Sequence, residues 1–306
     1  MHHGILGAGG VGGLIGAVLA HSGEEVTLLV RPEALAQQPK QLSLNSPFGR
    51  FTVPVWAAAR LSTPIDVLWI TVKATQLPSA LGSIAPGIEI RAVVPLLNGI
   101  EHIRVLRERF GSDLVVPATI GVESERTSPG VIVHRSPWVR LNASTSGRLR
   151  LEASFEHFRR FGFECNFLED EVTMLWSKLA FLAPIALATT AAAAPIGEVL
   201  ADAARKTRFE ACVREACDVG NASGARLDPN LILTNTVKLP PQMRSSMQKD
   251  VAAGRPPELD AISGPILRGG AEHGLEVSAT RAFVDEILTR LGDKAILSRN
   301  TRAPDA

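Results

Sequence analysis

A glycine-rich turn near the start of the chain restricts the fold more than any other feature. The glycines at positions 7, 9 and 12 match the G-x-G-x-x-G pattern, between an apolar pair and a run of apolar residues at helical spacing. In this pattern the first glycine makes the turn, the second admits a phosphate and the third lets a helix pack on a strand. The candidate cofactor-binding residues of this glycine turn are Gly7, Ala8, Gly9, Gly10, Val11 and Gly12. A tight turn that binds no ligand is the alternative.

The end of the next predicted strand indicates which dinucleotide the turn would hold. Residues 25–30 form a β-branched run that stops at Arg31. In NAD sites this position, about twenty residues past the glycines, usually carries an acid that binds the ribose 2′-hydroxyl. A cation there suits a 2′-phosphate instead, so the sequence favours NADP(H). A solvated arginine at a strand end is the alternative.

Charge and cysteine content exclude several classes of function. The 306-residue chain has a net charge of +1, so nothing favours binding to nucleic acid or to an anionic membrane. The three cysteines have no metal-ligand spacing, and we expect no metal site and a reduced, cytoplasmic protein. The alanine-rich residues 179–194 are too short for a membrane span and contain Pro184.

Polar residues follow two further apolar strands. Residues 66–72 read as a buried parallel strand before Lys73, and residues 92–97 as another before Asn98. Ligands of open α/β sheets bind outside the carboxyl ends of the strands. We therefore expect Arg31, Lys73 and Asn98 at the ligand-binding edge.

The character of the chain changes near residue 170. Three more strands are predicted at 114–123, 131–134 and 138–141, before a helix at 151–160. Predicted helices then follow at 171–190, 198–223, 230–236, 243–253, 259–273 and 280–291. The fold class is α/β, with an N-terminal Rossmann-type doubly wound sheet domain (1–168) followed by an all-α C-terminal domain (169–306). The polar tail after Ser298 is predicted to be disordered.

Several segments resemble the ketopantoate reductase (2-dehydropantoate 2-reductase) family over nearly the whole chain. Besides the glycine turn and Arg31, they are Lys73-Ala74-Thr75-Gln76, Leu97-Asn98-Gly99, Trp176-Ser177-Lys178-Leu179, Ser245-Ser246-Met247-Gln248-Lys249-Asp250 and Glu258-Leu259-Asp260. The resemblance implies an NADPH-dependent enzyme that reduces a 2-keto acid to a 2-hydroxy acid in pantothenate synthesis. It is also compatible with a homodimer.

The resemblance assigns roles residue by residue. Lys178 matches the general acid, and Glu258 matches a carboxylate that contacts this lysine, the substrate and the cofactor. Ser246 matches a contact to the substrate carboxylate. Asn98 matches a residue beside both the nicotinamide and the lysine, while Lys73 and Gln76 match the cofactor edge. On the residues alone, Lys178 could be a surface lysine and Glu258 an acid that favours a helix N-terminus.

One departure from the family pattern concerns the substrate. The family commonly has asparagines four and eight residues after the lysine, where this chain has Leu182 and Ala186. Two amides fewer make a drier pocket, and losing designed hydrogen bonds changes substrate discrimination strongly. The same chemistry on another 2-keto acid, or a non-catalytic NADP(H)-binding sensor, are therefore the alternatives.

Overall fold

A computed structural model describes residues 1–292 in two compact units. The first unit contains Met1–Leu97 and Glu101–Met174, and the second contains Asn98–Ile100 and the chain from Leu175 onward. The predicted disordered tail after Ser298 lies outside the described residues.

Strands and helices alternate through the first unit, and helices make up the second. The strands are β1 His2–Leu6, β2 Glu25–Leu29, β3 Gln41–Ser46, β4 Gly49–Pro54, β5 Trp56–Ala58, β6 Ile65–Ile70, β7 Ile90–Pro95, β8 Ala118–Gly121, β9 Ser124–Ser128, β10 Val131–His134, β11 Arg140–Ser144 and β12 Glu164–Leu168. The helices are α1 Gly10–His21, α2 Pro32–Leu35, α3 Leu77–Leu81, α4 His102–Phe110, α5 Arg148–Phe161, α6 Glu171–Ala192, α7 Ile196–Ala201, α8 Ala203–Ala222, α9 Pro229–Val237, α10 Ser246–Ala252, α11 Leu259–His273 and α12 Ser278–Leu291.

A five-stranded parallel sheet forms the centre of the first unit. Its strand order is β5-β2-β1-β6-β7, and every pairing is parallel. Counted along the chain, this is the 3-2-1-4-5 order of the Rossmann fold, and the order reverses between β1 and β6. The predicted fold class is confirmed. The strand that contains Pro95 is an edge strand, where a proline is tolerated.

Both faces of this sheet are covered, because alternate residues of its buried strands point to opposite sides. Ile5 and Trp69 belong to one hydrophobic core, which includes apolar residues of α1 and α5. Their neighbours Leu6 and Ile70 belong to the other core, with apolar residues of α3 and α4. The sheet is thus doubly wound.

Two smaller sheets complete the first unit. One has the order β4-β3-β10-β9, and the other has the order β12-β11-β8. Strand β10 pairs antiparallel with β9 and parallel with β3. Strand β10 packs closely on α1, since a Cβ at Gly13 would lie 2.2 Å from Ile132.

The second unit is helical in the described residues, and α8 contacts α7, α9, α11 and α12. Small residues allow the closest of these contacts. A Cβ at Gly269 would lie 2.5 Å from Val219, and a Cβ at Gly220 would lie 3.1 Å from Trp176. Helices α6 and α11 thus both pack on α8, and Lys178 lies on α6 while Glu258 directly precedes α11.

Several predicted boundaries were wrong for local reasons. The single helix predicted at 198–223 is broken at Asp202, which is extended and whose carboxylate accepts a hydrogen bond from the Arg205 backbone at 2.9 Å. The helix predicted at 243–253 starts only at Ser246, because Ser245 caps it. The strands predicted at 66–72 and 114–123 are shorter. The strands β5, β9 and β12 and the helices α2, α3 and α4 were not predicted.

Helix α6 is the one described helix long and apolar enough to cross a membrane by length and composition. Within its most apolar window, 67% of the residues are buried inside the protein. Its apolar side chains are thus mostly used in packing.

Candidate active site

The glycine turn joins β1 to α1. Each of its three pattern glycines is required for a different physical reason. Gly7 has a φ of +107°, and a Cβ there would lie 2.8 Å from the Val72 backbone nitrogen. At Gly12 a Cβ would lie 2.2 Å from the Gly7 carbonyl oxygen, so the first turn of α1 packs on the end of β1. Nothing lies within 4 Å of a Cβ built at Gly9, so this side of the turn is open.

The N-terminus of α1 fits a phosphate group. The helix begins at Gly10, no side chain caps it, and its first turn contains no acidic residue. Unbonded backbone N–H groups and the helix dipole favour an anion at such a terminus. The open side at Gly9 leaves room for a pyrophosphate to approach. The residues present therefore fit a dinucleotide cofactor.

Thr71 supports this turn and was missed by the sequence analysis. Its hydroxyl donates to the Gly7 carbonyl at 2.7 Å, and its backbone N–H donates to the Leu6 carbonyl at 2.9 Å. The hydroxyl also lies 2.3 Å from where a Cβ of Gly12 would be. The one available signal was a hydroxyl residue directly after a buried apolar strand.

Three predicted cofactor residues follow the two strands that flank β1. Arg31 lies just beyond β2, is exposed, and places its Nε 3.4 Å from Oε1 of Glu33. Lys73 precedes a 3₁₀ turn at Ala74–Gln76, and the Gln76 side chain is exposed. Because the strands are parallel, Arg31, Lys73 and Gln76 lie at the same sheet edge as the glycine turn. Asn98, predicted at this edge, belongs to the second unit.

The second unit brings together Asn98, Lys178 and Glu258, called the acid–base cluster below. Glu258 is 7% exposed and directly precedes α11. The Asn98 amide nitrogen donates to Oε2 of Glu258 at 3.2 Å. Lys178 lies half-buried on α6, where the negative charge of Glu258 acts on its ammonium group. Residues 80 or more positions apart thus form one polar group.

Burial lowers the pKa of Lys178 to about 8, while the nearby Glu258 carboxylate raises it. A lysine with this pKa is largely protonated at pH 7 and still gives up its proton more readily than an exposed lysine. The cluster can therefore donate a proton to an oxygen that gains negative charge.

Gly99 sets the backbone next to Asn98. Its φ is +81°, and a Cβ there would lie 2.3 Å from the Ala261 carbonyl oxygen in the first turns of α11. Only glycine allows this close approach. The same loop therefore contacts α11 through its backbone at Gly99 and through the Asn98 side chain at Glu258.

Ser246 is not joined to the acid–base cluster. It is exposed at the start of α10, and its side chain forms no hydrogen bond within residues 1–292. Its neighbour Ser245 is buried, accepts from the Gln248 backbone at 3.1 Å and lies 2.8 Å from the Thr189 hydroxyl. The contact of Ser246 with a substrate stays a prediction.

Apolar residues continue the Lys178 face of α6. Leu182 is half-buried and Ala186 is 1% exposed, one and two turns after the lysine. Neither side chain can form a hydrogen bond, so this stripe offers no polar contact beyond the lysine itself.

Both units of the chain are similar to known proteins of one family. The family model "Ketopantoate reductase PanE/ApbA" matches residues 3–146, and the model of the C-terminal part of the same family matches residues 171–290. A 2-dehydropantoate 2-reductase from Caulobacter vibrioides is 30% identical over 294 residues, covering 92% of this chain and 96% of that protein.

The chain belongs to the ketopantoate reductase family. Its fold is similar to the crystal structure of a PanE/ApbA family ketopantoate reductase from Ralstonia eutropha, with a TM-score of 0.82, 27% identity and coverage of 95% and 98% of the two chains. It is also similar in fold to D-mandelate dehydrogenase, solved with NADH and anilino(oxo)acetate, with a TM-score of 0.83, 18% identity and coverage of 95% and 98%.

Membership of this family of nicotinamide-dependent reductases confirms the predicted resemblance and the predicted class of enzyme, an oxidoreductase. The roles of individual site residues, the domain limits and the choice of NADP(H) remain predictions.

Proposed function

We propose that this chain uses NADPH to reduce a 2-keto acid to a 2-hydroxy acid, with Lys178 as the general acid. The observation that carries the proposal is the acid–base cluster, in which Asn98 holds Glu258 and the Glu258 charge acts on a lysine of lowered pKa. Reduction of a ketone leaves negative charge on oxygen, and an ammonium group can both stabilise that charge and supply the proton.

The cofactor proposal rests on the first unit. The glycine turn and the α1 N-terminus would bind the pyrophosphate, and Arg31 would bind a 2′-phosphate. Bound nicotinamide dinucleotide supplies the hydride. The ion pair between Arg31 and Glu33 is exposed, and such pairs are weak, so it leaves Arg31 available to a phosphate.

Each residue of the acid–base cluster has a proposed task. Lys178 donates a proton to the carbonyl oxygen of the substrate. Glu258 keeps the lysine protonated, because its charge raises a pKa that burial lowers. Asn98 fixes the Glu258 carboxylate through its amide. Lys73 and Gln76 would contact the cofactor, and Ser246 the substrate carboxylate.

The first substrate to test is 2-dehydropantoate, because several relatives carry the name 2-dehydropantoate 2-reductase. Leu182 and Ala186 favour a second candidate, a 2-keto acid with a more apolar side chain, since neither residue can bind a substrate hydroxyl. To separate the two candidate substrates, NADPH oxidation is monitored by its absorbance with a panel of 2-keto acids whose side chains increase in polarity. No turnover with any of them would favour the sensor.

NADH belongs in the same panel, because a protein of this fold, D-mandelate dehydrogenase, was solved with it. A cytoplasmic location is also proposed. It is supported by three free, buried cysteines whose thiol pKa values burial raises to about 12, as expected of unreactive thiols in a reducing compartment. A homodimer is a further proposal, since a relative from Staphylococcus aureus is described as dimeric.

The substrate proposal predicts the effect of restoring the two amides. With Leu182→Asn and Ala186→Asn together, we expect higher kcat/KM for 2-dehydropantoate and lower kcat/KM for an apolar 2-keto acid such as 2-ketoisovalerate. The reason is that a polar site rejects a substrate lacking the matching group. Steady-state kinetics with both substrates measures the ratio. A wild type that already prefers 2-dehydropantoate, with a double variant that is worse, contradicts the prediction.

A further inference from the structure

Strand β9 lies directly against the first residue of α1. The Ser124 hydroxyl donates to the Gly10 carbonyl at 2.9 Å, and a Cβ at Gly10 would lie only 2.1 Å from the Ser124 carbonyl oxygen. Gly10 is not one of the three pattern glycines, and this contact explains why no side chain fits there. One end of β9 thus borders the turn proposed to bind a dinucleotide.

Apolar packing does not hold β9 in this position. The strand reads Ser-Glu-Arg-Thr-Ser, lies at the edge of its sheet, and is exposed apart from Ser124, which is half-buried. Its position beside the glycine turn therefore depends on its antiparallel pairing with β10, on the Ser124 hydroxyl and on the hydrogen bonds of Glu123, just before it.

A buried hydrogen-bonded chain anchors Glu123. The Glu123 backbone N–H donates to the Ser136 hydroxyl at 3.0 Å, and the Arg135 N–H donates to the Glu123 carbonyl at 2.8 Å. His134 Nε2 lies 3.0 Å from the Ser136 hydroxyl, and His134 Nδ1 lies 2.9 Å from the Ser46 hydroxyl. His134, Ser136 and Ser46 are each no more than 7% exposed.

One protonation state of His134 satisfies every hydrogen bond of this Ser46–His134–Ser136 chain. The Ser136 hydroxyl donates to the Trp138 carbonyl at 2.8 Å, so it accepts from His134, whose proton must then be on Nε2. Nδ1 in turn accepts from Ser46, whose oxygen accepts the Phe48 N–H at 3.1 Å. Burial lowers the pKa of His134, in keeping with a neutral ring.

We infer that Ser124 is a positioning residue of the dinucleotide site, and that the Ser46–His134–Ser136 chain holds the segment from which it acts. By bonding the Gly10 carbonyl, Ser124 fixes the first turn of α1, whose N–H groups would bind the pyrophosphate. The inference rests on the proposed dinucleotide binding. Ser124 itself is not required to touch the cofactor.

Ser22, the residue directly after α1, provides a matched control. Its hydroxyl donates to the Val18 carbonyl at 3.0 Å near the C-terminal end of α1. Ser124→Ala and Ser22→Ala therefore each remove one serine hydroxyl from one α1 carbonyl, at opposite ends of the helix. Ser124→Thr keeps the hydroxyl and tests rescue.

The experiment titrates the full-length variants with NADPH and with NADH by nicotinamide fluorescence, and measures their thermal unfolding midpoints. We expect Ser124→Ala to raise Kd for both dinucleotides roughly threefold to tenfold, the effect of one neutral hydrogen bond. Ser22→Ala should leave Kd unchanged, and Ser124→Thr should stay near wild type. If Ser124→Ala fails to fold, Ser136→Ala replaces it, because this variant removes the hydroxyl that binds the Glu123 backbone. The inference then predicts the same roughly threefold to tenfold increase in Kd for Ser136→Ala.

Unchanged binding by Ser124→Ala overturns the inference, as does equal weakening by Ser22→Ala, which would indicate a general loss of stability. If the wild type binds a dinucleotide, only the positioning role of Ser124 is then lost. If the wild type binds neither dinucleotide, the proposed function fails together with the inference.

Discussion

Single residues at the end of β2 decide the choice between the two nicotinamide dinucleotides in this account. Arg31 is exposed and close to Glu33, so its guanidinium can reorient toward a 2′-phosphate without leaving a buried partner. Arg31→Ala should raise Kd for NADPH about tenfold, as for the loss of one charge-assisted hydrogen bond, and leave Kd for NADH unchanged. Fluorescence titration of wild type and variant with NADPH and with NADH measures both Kd values.

The Arg31 variant is separable from the Ser124 variant, because Arg31 is proposed to bind the 2′-phosphate alone, whereas Ser124 is proposed to position the turn for the pyrophosphate that both dinucleotides share. Glu33→Ala serves as the control, since it removes the Arg31 partner but keeps the cation. Equal losses of NADPH and NADH binding in Arg31→Ala would refute the assignment.

A buried histidine makes the first unit sensitive to acid. His3 is fully buried in β1, and burial lowers its pKa from 6.5 to about 4, while Glu24 opposes the shift. The unfolded chain binds the proton at higher pH than the folded chain, so stability falls as pH drops below about 6.5. Between pH 7 and pH 5 the expected loss is about 2 kcal/mol.

The measurement is the free energy of unfolding of wild type and His3→Asn across this pH range. Asparagine cannot titrate but keeps an acceptor for the Trp69 indole N–H, which donates to His3 Nδ1 at 3.3 Å. The variant should show a shallower pH dependence. His273→Asn, at an exposed position of α11, is the control, and an equal slope in His3→Asn and wild type would disprove the role of His3.

At the scale of elements, one acid on α8 holds the start of α12. Glu215 accepts hydrogen bonds from the backbone N–H groups of Ala279 and Thr280 and from the Thr280 hydroxyl, each at 2.7 Å. These are N–H groups that a helix terminus otherwise leaves unbonded. Glu215→Ala should therefore destabilise the protein by about 2 kcal/mol.

Glu210, five residues earlier on α8, is the matched control, because within residues 1–292 it forms an exposed ion pair with Lys206 at 3.9 Å and caps no helix. Glu210→Ala should change stability little. Thermal or urea unfolding compares the two variants, and equal losses would mean that Glu215 does not cap α12.

The sequence predicted most elements whose signal is local. The glycine turn, α1, α11 and the parallel strands β1, β2, β6 and β7 follow from glycine spacing and apolar periodicity. The break at Asp202 was missed because an aspartate inside an apolar pattern caps a helix only when the backbone is extended there. Strand β9 was missed because it is polar. It is held by its pairing with β10 and by the bond from Ser124 to the distant Gly10 carbonyl, and apolar periodicity records neither.

The residues of the candidate site likewise fall into those found from the sequence and those that only the structure shows. Lys178, Glu258 and Asn98 were found through the family resemblance, and the structure brings these three together. Thr71 and Ser124 carry no sequence motif, since their roles depend on which carbonyl lies beside them after folding. Partners more than 60 positions away in the chain cannot be inferred from residue spacing.

For the molecule as a whole, the proposed function requires two separate tasks from one chain. The first unit must bind a dinucleotide, and the second must donate a proton. Both units match models of the same family, so neither was replaced by an unrelated module. The departure from the family pattern that bears on the substrate is the apolar pair after Lys178, Leu182 and Ala186.

The most direct test of the central claim is the pH dependence of hydride transfer in a single turnover. With wild type, the rate of 2-keto acid reduction should fall as pH rises through about 8, where Lys178 loses its proton. Glu258→Gln should move this fall to lower pH, because the charge that raises the lysine pKa is gone. Lys178→Ala should be slower by roughly a hundredfold to ten-thousandfold, with NADPH affinity close to wild type. A Lys178→Ala variant that transfers hydride at the wild-type rate would contradict the account.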